Sequence, residues 1–558
     1  MDKKKVIVIG IDGATFDIIY PLLRESKLPN IGSIAVNGMS TPLNSVIPPI
    51  TAPAWVSFMT GVNPGKHGIF DFVSGIHLNG KEGALINSND IRAKTIWDYL
   101  NEGRKKTITV GVPFTYPARE INGVMVSLSM GCDIDVYPKN LQEEIVKNTG
   151  YNKESCKPVD TFGEVPPEEV LDEIISRADY LTKKISEISC YLMKKQEWDF
   201  FMAHFMSTDT IQHYFWHFID PAHPAYDERL ANKYGNVIYE TYRKVDQAIQ
   251  RILAHAGEEC NVIILSDHGF APVYNFFYVN KWLQERGLLS INNNTKDLYK
   301  YKMAFPTVYK ILKKLGLGAA GEILPRWLRS MNIPAVKRCA EPLYKWIDWN
   351  NTKAYASPFG INVNLKGREP MGIVSMAEYD EVRQTIKKEL YKLSNPDSGE
   401  SLIKQVLFKE EIYSGPYINE AADVFFIFKE PHYLQSGEVA KKTSFERLSK
   451  DNFATANHRY SPEGILAMKG PDFKSGSYSN KPSIMDIAPT ILYLLGLKVP
   501  ESMDGRVMTE LIDDEHIMSR PVKIIKEERM SGDKRPDSRI SDNESEIKEH
   551  LRRLGYLG

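Results

Sequence analysis

The chain has 558 residues, of which 42% are hydrophobic and 25% charged, with a formal net charge of -1. That is globular composition, large enough for one extended core or for a core with an added lobe. The near-zero charge excludes a global field that would recruit a nucleic-acid polymer or an acidic membrane. No apolar run reaches the roughly 20 residues of a membrane span. The five cysteines, Cys132, Cys156, Cys190, Cys260 and Cys339, are scattered and lack CxxC spacing. They form neither a disulfide framework nor a thiolate zinc site, so a reduced, cytoplasmic protein is expected.

In chain order, the basic start followed by "VIVIG" raises the question of a signal peptide. The apolar run is too short, has no small-residue cleavage site and leads straight into Asp12, so it is expected to be the first core strand. "FDIIYPLLRE" and "NIGSIAVNG" have helical spacing. "KTIWDYLNEG" predicts a helix ending at Gly103, and "KKTITVGVP" a strand. Residues 166–195 predict a long amphipathic helix, with Pro at its start, acids in its first turn and lysines in its last. "WDFFMAHFMS" predicts a buried strand, residues 225–255 another long helix, and "NVIILSD" a further strand. Strands alternating with helices of ten or more residues indicate a layered α/β/α sandwich around a largely parallel sheet.

From about 280 to 400 the chain turns basic, aromatic and helical, and predicts an inserted, mostly helical cap. Trp327, Tyr344 and Trp346 are expected to cover a site or to form that lobe's own core. Regular α/β character returns with "AADVFFIF" and ends with the helix "SIMDIAPTILYLLGL". The expected division is a first core part over 1–280, the cap over 281–400, a second core part over 401–515 and a charged, flexible tail over 516–558. The last residues, "LRRLGYLG", have the pattern of a short docking helix.

In open α/β sheets ligands collect at the carboxyl ends of the strands. Asp12, Asp209 and Asp267 sit at or just past such ends. Asp267 and His268 adjoin, and Gly269 permits the turn that lets both reach one ligand. Asp209 and His213 are four apart, which on a helix puts them on one face, about 5–6 Å apart at Cβ. His204 and His217 compete with His213 for that role. His458 lies in a polar loop before an apolar strand. Three carboxylates and three imidazoles suit zinc, manganese or iron. Six such donors exceed one tetrahedral zinc and fit two divalent ions about 3.5–4 Å apart. Taken singly, Asp267 and His268 read equally well as a surface loop, Asp209 and His213 read more readily as an exposed helix pair, and Asp12 and His458 are unremarkable.

The nucleophile candidate is Thr51. Pro53 falls in a first helical turn, and "AWVSFMTG" is a helix closed by Gly61. Thr51 therefore stands at a helix N-terminus, where free N–H groups and the dipole favour a phosphate, although an ordinary capping Thr has the same signature.

In order along the chain, these residues resemble the alkaline phosphatase superfamily, closest to its type I phosphodiesterase/nucleotide pyrophosphatase branch and to related phosphohydrolases and phosphomutases. The pattern is Asp12 after strand one, Thr51-Ala52-Pro53 before "TGVNPGKHGI", Asp209 to His213, Ser266 to Gly269, and His458 to Gly464. The resemblance implies one metal held by Asp209, His213 and His458. A second would be held by Asp12, Asp267, His268 and the Thr51 oxygen. It further implies attack of Thr51 on phosphorus and hydrolysis of the phosphothreonine by water. The expected activity is hydrolysis of a phosphate mono- or diester on a small phosphorylated substrate. The alternative is a phosphomutase or phosphotransferase that returns the phosphoryl group to another hydroxyl, and a non-catalytic metal-stabilised binding protein is the third possibility. Ala52, Lys366 and Arg368 are the candidate substrate contacts, and His67 is a supporting residue or the end of a loop.

Two positions depart from the family's patterns. Ala54 replaces the Asn of T-F-P-N, removing one amide donor to a phosphate oxygen. Trp55 stands where formylglycine sulfatases carry Arg, and Thr51 cannot form that aldehyde, so a sulfatase of that type is rejected.

Overall fold

A computed structural model describes residues 4–526 except 75–82, 158, 160–165, 258, 293–345, 358, 397, 440, 450–454, 459–460 and 479–480, together with 547, 548 and 551. The chain opens with β1 (Lys5–Ile11), β2 (Met39–Asn44), β3 (Thr107–Val110), β4 (Gly123–Leu128), β5 (Ile134–Tyr137), β6 (Phe200–Phe205) and β7 (Cys260–Leu265). It then enters a second lobe with β8 (Ala271–Pro272), β9 (Asn275–Tyr278), β10 (Ala354–Ser357), β11 (Gly360–Val363), β12 (Ile403–Phe408), β13 (Val424–Phe428), β14 (Tyr433–Ser436), β15 (Phe445–Arg447) and β16 (Ala456–Asn457). It returns as β17 (Glu463–Lys469) and β18 (Gly476–Ser477).

The main sheet has nine strands in the order β18-β2-β17-β7-β1-β6-β3-β4-β5. Its centre, β7-β1-β6-β3-β4, is parallel, with antiparallel strands towards both edges. β1 and β6 are apolar at nearly every position and buried on both faces, as a parallel sheet covered by helices requires. One helical layer is built from Pro29–Asn37, Glu168–Lys195, Ser207–Phe215 and Val237–Leu253, which pack on one another. Another joins Thr51–Thr60, Ile96–Glu102 and Ile487–Leu494. The α/β sandwich read from the sequence is thus present. The expected helix over 225–255 is two helices, Glu228–Tyr234 and Val237–Leu253, which part at Gly235, a residue that costs helix stability.

The second lobe has its own core, with Phe277, Trp282, Ile361, Val363, Val424 and Phe426 among its buried residues. It is built on a four-stranded antiparallel sheet, β10-β11-β13-β12, and a three-stranded one, β14-β9-β15. Much of the stretch behind the helical expectation, including Trp327 and Tyr344, lies outside the described residues. Trp346 packs against the lobe's core. "DVFFIF", read as the chain's return to the main core, forms β13 and pairs with β11 and β12, so the main sheet is rejoined only at β17. The reason is local: β13 is apolar throughout and buried at four of its five positions, so its run has the same pattern as a strand of the main core. In the C-terminal region, Ile524–Ile525 pair with Val499–Pro500, and Ile547 and Leu551 are buried against the main core. Among the described residues no helix is long and apolar enough to cross a membrane.

Candidate metal centre and nucleophile

β1 ends at Ile11, and the next residue, Asp12, is fully buried. Gly13 turns the chain at φ +62°, where a side chain would be strained and would also meet Asp209. Side chains pin this turn. Thr208 Oγ1 donates to the Asp12 carbonyl at 2.6 Å, and Gln212 Nε2 donates to the Gly13 carbonyl at 2.9 Å. Tyr242 Oη in turn donates to Gln212 Oε1 at 3.2 Å. Thr208, Asp209 and Gln212 all belong to the helix Ser207–Phe215 that follows β6, so the two neighbouring strands are held in register at their carboxyl ends.

β7 ends at Leu265, followed by Ser266, Asp267 and His268. Ser266 Oγ donates to the Ala14 carbonyl at 2.8 Å and accepts from Ile465 N at 2.8 Å, fastening this turn to β1 and β17. Asp267 Oδ1 accepts from Gly13 N at 3.2 Å. A Cβ on Gly269 would stand 2.5 Å from the Glu463 carbonyl, so this sharp turn excludes any side chain. Ala456–Asn457 pair with β8 and deliver His458.

These turns bring five of the six Asp and His candidates into two touching groups. The ligand atoms of Asp12, Asp267 and His268 lie within 4.8 Å of one another, as do those of Asp209, His268 and His458. His268 belongs to both groups, and its ring stacks on His458 with centroids 3.7 Å apart. His213 stands beside the second group, with Nε2 3.6 Å from Asp209 Oδ1. Thr51 is the first residue of the buried helix Thr51–Thr60, and its Oγ1 is 3.3 Å from His268 Nε2. Gly61 closes that helix in the left-handed conformation.

The imidazoles sort themselves by their second nitrogen. His213, His268 and His458 each place Nδ1 on a backbone carbonyl, of Ala456 at 3.0 Å, Gly269 at 3.0 Å and Pro49 at 2.7 Å. A carbonyl only accepts, so Nδ1 carries the proton and Nε2 keeps its lone pair for the site; this is the arrangement typical of metal-binding histidines. His204 is the opposite case. Its Nε2 meets Asp12 Oδ2 at 2.9 Å, and Trp55 Nε1 donates to the same oxygen at 2.9 Å. His204 and Trp55 thus orient Asp12 and leave Oδ1 facing His268. His217 lies away from the groups, against Phe218 and His223.

The electrostatics of the centre call for positive charge. Burial, and then the neighbouring Asp12, push the Asp267 carboxyl well above its usual range. Burial lowers the His268 imidazole. Asp12 Oδ1 and Asp267 Oδ2 are buried with no hydrogen bond from the described residues. Three carboxylates beside three imidazole lone pairs, with two carboxylate oxygens unsatisfied, fit divalent cations and fit no neutral arrangement as well.

The remaining candidates fall elsewhere. Arg368 forks onto Asp423 at 2.7 and 2.6 Å and meets Glu369 at 2.9 Å, so the cation expected to hold substrate serves instead to neutralise a buried carboxylate in the second lobe. Lys366 is exposed on the same hairpin. Ala52 is buried in the first turn behind Thr51. His67 is sealed in the core, with Nε2 2.9 Å from Ser57 Oγ and Nδ1 accepting from Ile69 N at 3.1 Å. Sequence reasoning did not anticipate that Trp55 and His204 converge on Asp12. The available signal was the polar His204 inside an otherwise apolar strand.

A hydroxyl at a helix N-terminus beside carboxylate and imidazole clusters, at the carboxyl ends of a parallel sheet, marks the candidate catalytic centre of an α/β fold. The family model for type I phosphodiesterase/nucleotide pyrophosphatase matches residues 6–458, and the chain belongs to that family. It is a hydrolase of phosphoric ester bonds. No curated protein sequence matches it. Solved structures that share the fold include the following two. Murine ectonucleotide pyrophosphatase/phosphodiesterase 5, in an inactive form in complex with AMP, is 14% identical, with a TM-score of 0.50 over 91% of this chain and 100% of that one. Phosphonoacetate hydrolase from Sinorhizobium meliloti in complex with phosphonoformate is 14% identical, with a TM-score of 0.50 over 88% of this chain and 95% of that one.

Proposed function

We propose that the chain is a metal-dependent phosphohydrolase that cleaves phosphate mono- or diesters through a phosphothreonine at Thr51. The observation that carries this reading is the position of Thr51 Oγ1, at a helix N-terminus and 3.3 Å from the one histidine common to both donor groups. Asp12, Asp267 and His268, with the Thr51 oxygen, would hold one divalent ion. Asp209, His213 and His458 would hold the other, with His268 at the boundary. Zinc suits this donor set, and manganese or iron are alternatives. Bound ions would supply Lewis acidity, charge for the phosphoryl oxygens and a lowered pKa for the threonine hydroxyl.

The chain's own residues do the rest. Pro53 has no N–H and Ala54 N donates to the Ile50 carbonyl at 3.1 Å, so the N–H groups of Thr51 and Ala52 are those that would serve a phosphoryl oxygen in place of the missing side-chain amide at Ala54. The carbonyls of Gly269, Pro49 and Ala456 fix the tautomers of the three imidazoles. Trp55 and His204 hold Asp12 so that one oxygen remains available. Thr51 Oγ forms a bond to phosphorus as the ester oxygen leaves, and water then cleaves the P–O bond and restores the hydroxyl. A cytoplasmic setting is part of this reading and rests on the odd, scattered cysteines.

Nitrophenyl phosphate mono- and diesters, tried with Zn²⁺ and Mn²⁺, test it. Activity is expected to vanish with chelator and return with one of those ions. Thr51→Ala is expected to lose at least about a thousandfold in kcat while keeping the wild-type circular dichroism. Undiminished turnover in that variant rules out the nucleophile. In ¹⁸O-water, label in the released phosphate marks hydrolysis. Isomerised product without label marks the phosphomutase alternative.

A further inference from the structure

We propose that Cys132 and Cys156 are a peroxide-reactive pair that closes to a reversible disulfide. The two stand 24 positions apart, yet the fold sets them side by side. Cys132 lies in the turn between β4 and β5. Ser129 Oγ accepts from Gly131 N at 3.2 Å and from Asp133 N at 2.9 Å, so the turn is fixed on both sides of the cysteine. Cys156 follows the short helix Lys153–Ser155. Cys132 Sγ donates to the Cys156 carbonyl at 2.9 Å, and the two thiol side chains meet. Side chains in contact are the precondition for a disulfide that needs no backbone rearrangement. Tyr151 is the third member of the cluster. Its hydroxyl stands 2.8 Å from the Cys132 carbonyl and 3.3 Å from Cys156 Sγ, and can turn its proton to either.

The two thiols are chemically unequal. The hydrogen bond from Cys132, with help from Tyr151 and the Arg177 charge, holds the Cys156 thiol below its ordinary value against the cost of burial. The same hydrogen bond, and then burial, push the Cys132 thiol well above it. Burial also raises Cys190, and it raises Cys260 to about 12. The thiolate is the reactive form, so among the described cysteines Cys156 is the one poised to react. Neither residue of the pair is sealed, with 7% of Cys132 and 8% of Cys156 exposed. So narrow an opening suits hydrogen peroxide, little larger than water, over a bulky disulfide.

The Cys156 thiolate attacks one oxygen of hydrogen peroxide. The O–O bond breaks, leaving a sulfenic acid on Cys156 and a hydroxide ion. Cys132 then sheds its proton and its sulfur attacks Cys156 Sγ. An S–S bond forms, the S–O bond breaks and water leaves. Two thiols lose two electrons in all, and one peroxide becomes two waters, the hydroxide taking the proton that Cys156 had shed. A small dithiol reverses the link by exchange. Links that form and are undone are the usual kind in a reducing compartment. The link would tie the turn after β4 to the segment beyond the helix Gln142–Thr149, and its chemistry needs neither Thr51 nor a metal.

Peroxide treatment of the full chain, quenched with catalase and followed by maleimide counting in urea, tests the pair. The reduced chain has five thiols, and treatment is expected to leave three, five less the two that join. Proteolysis and mass spectrometry are expected to find one linked peptide pair carrying Cys132 and Cys156, and dithiothreitol to restore all the thiols. Cys132→Ser is expected to stop at a sulfenic acid on Cys156, trapped by dimedone. In Cys156→Ser, oxidation of Cys132 is expected to slow by at least about tenfold. Circular dichroism verifies that both variants fold, and the linked peptide in the wild type needs no variant. Five thiols surviving a dose that oxidises free cysteine completely, a link through any other cysteine, or dimedone on Cys132 in place of Cys156 overturns the proposal.

Discussion

His67 shows how a residue at the edge of a motif is decided by its two ring nitrogens. Nε2 meets Ser57 Oγ and Nδ1 accepts from Ile69 N, so the neutral ring bridges the helix Thr51–Thr60 to the turn that follows it. Burial lowers its pKa to about 3, well below the ordinary value near 6.5. The unfolded chain takes up this proton as pH falls through about 6.5, and the folded chain only near 3. The contribution to stability is whole above the unfolded pKa and is lost as pH falls towards the folded one. The slope is up to about 1.4 kcal/mol per pH unit. His217 is lowered to about 3 in the same direction and adds to the effect. Urea midpoints of wild type and His67→Gln, taken from pH 7 to 4 in chelator, are expected to converge as pH falls. Parallel curves would show that the ring is not buried neutral. The candidate metal donors were legible at this scale through local signals: a glycine turn after Asp12 and after Asp267 and His268, and the helical spacing of Asp209 and His213. The second task of Trp55 and His204 was not legible, because it depends on β6 lying beside β1, with Gly10 opposite His204.

That register makes one glycine of β1 indispensable. A Cβ on Gly10 would stand 2.6 Å from Trp55 Cη2 and 2.9 Å from His204 Cδ2, the two side chains that grip Asp12. Trp55 is fully buried and cannot swing away. Gly10→Ala is therefore expected to cost about 1–3 kcal/mol by overpacking. It should also displace both donors from Asp12, so that kcat/KM falls by more than the loss of folded protein explains. Thermal melts and steady-state kinetics on the same preparation check this, and unchanged values in both would mean that the strand yields without cost. The elements that sequence periodicity revealed were the long amphipathic helices and the fully apolar strands, whose patterns need no knowledge of a partner. The lobe's short strands were not distinguishable, since β13 has the same apolar run whether it joins a parallel core or a hairpin. The break at Gly235 was likewise hidden inside a helical pattern on both sides.

At the scale of the whole molecule, the centre places three carboxylates at the meeting point of β1, β7 and the helix Ser207–Phe215, so local charge and global stability are coupled. Without a cation, Asp267 is opposed by burial and by Asp12 and Asp209. The fold supplies Gly13 N as one compensating donor, at 3.2 Å. An ion that binds only the folded state stabilises it by RT ln(1 + [L]/Kd), about 2.7 kcal/mol at a hundred times Kd. Zn²⁺ or Mn²⁺ at that excess is expected to raise the melting temperature, and chelator to reverse it. Asp267→Asn separates this coupling from ordinary packing. The amide keeps the shape of the carboxylate and its acceptor oxygen for Gly13 but removes one of the three repelling charges. In chelator the variant is expected to melt at or above the wild-type temperature, and with metal below it. The sign of the substitution's effect thus depends on the ion. A metal increment of equal size in both proteins would mean that Asp267 holds no cation and that its elevated pKa reflects burial alone.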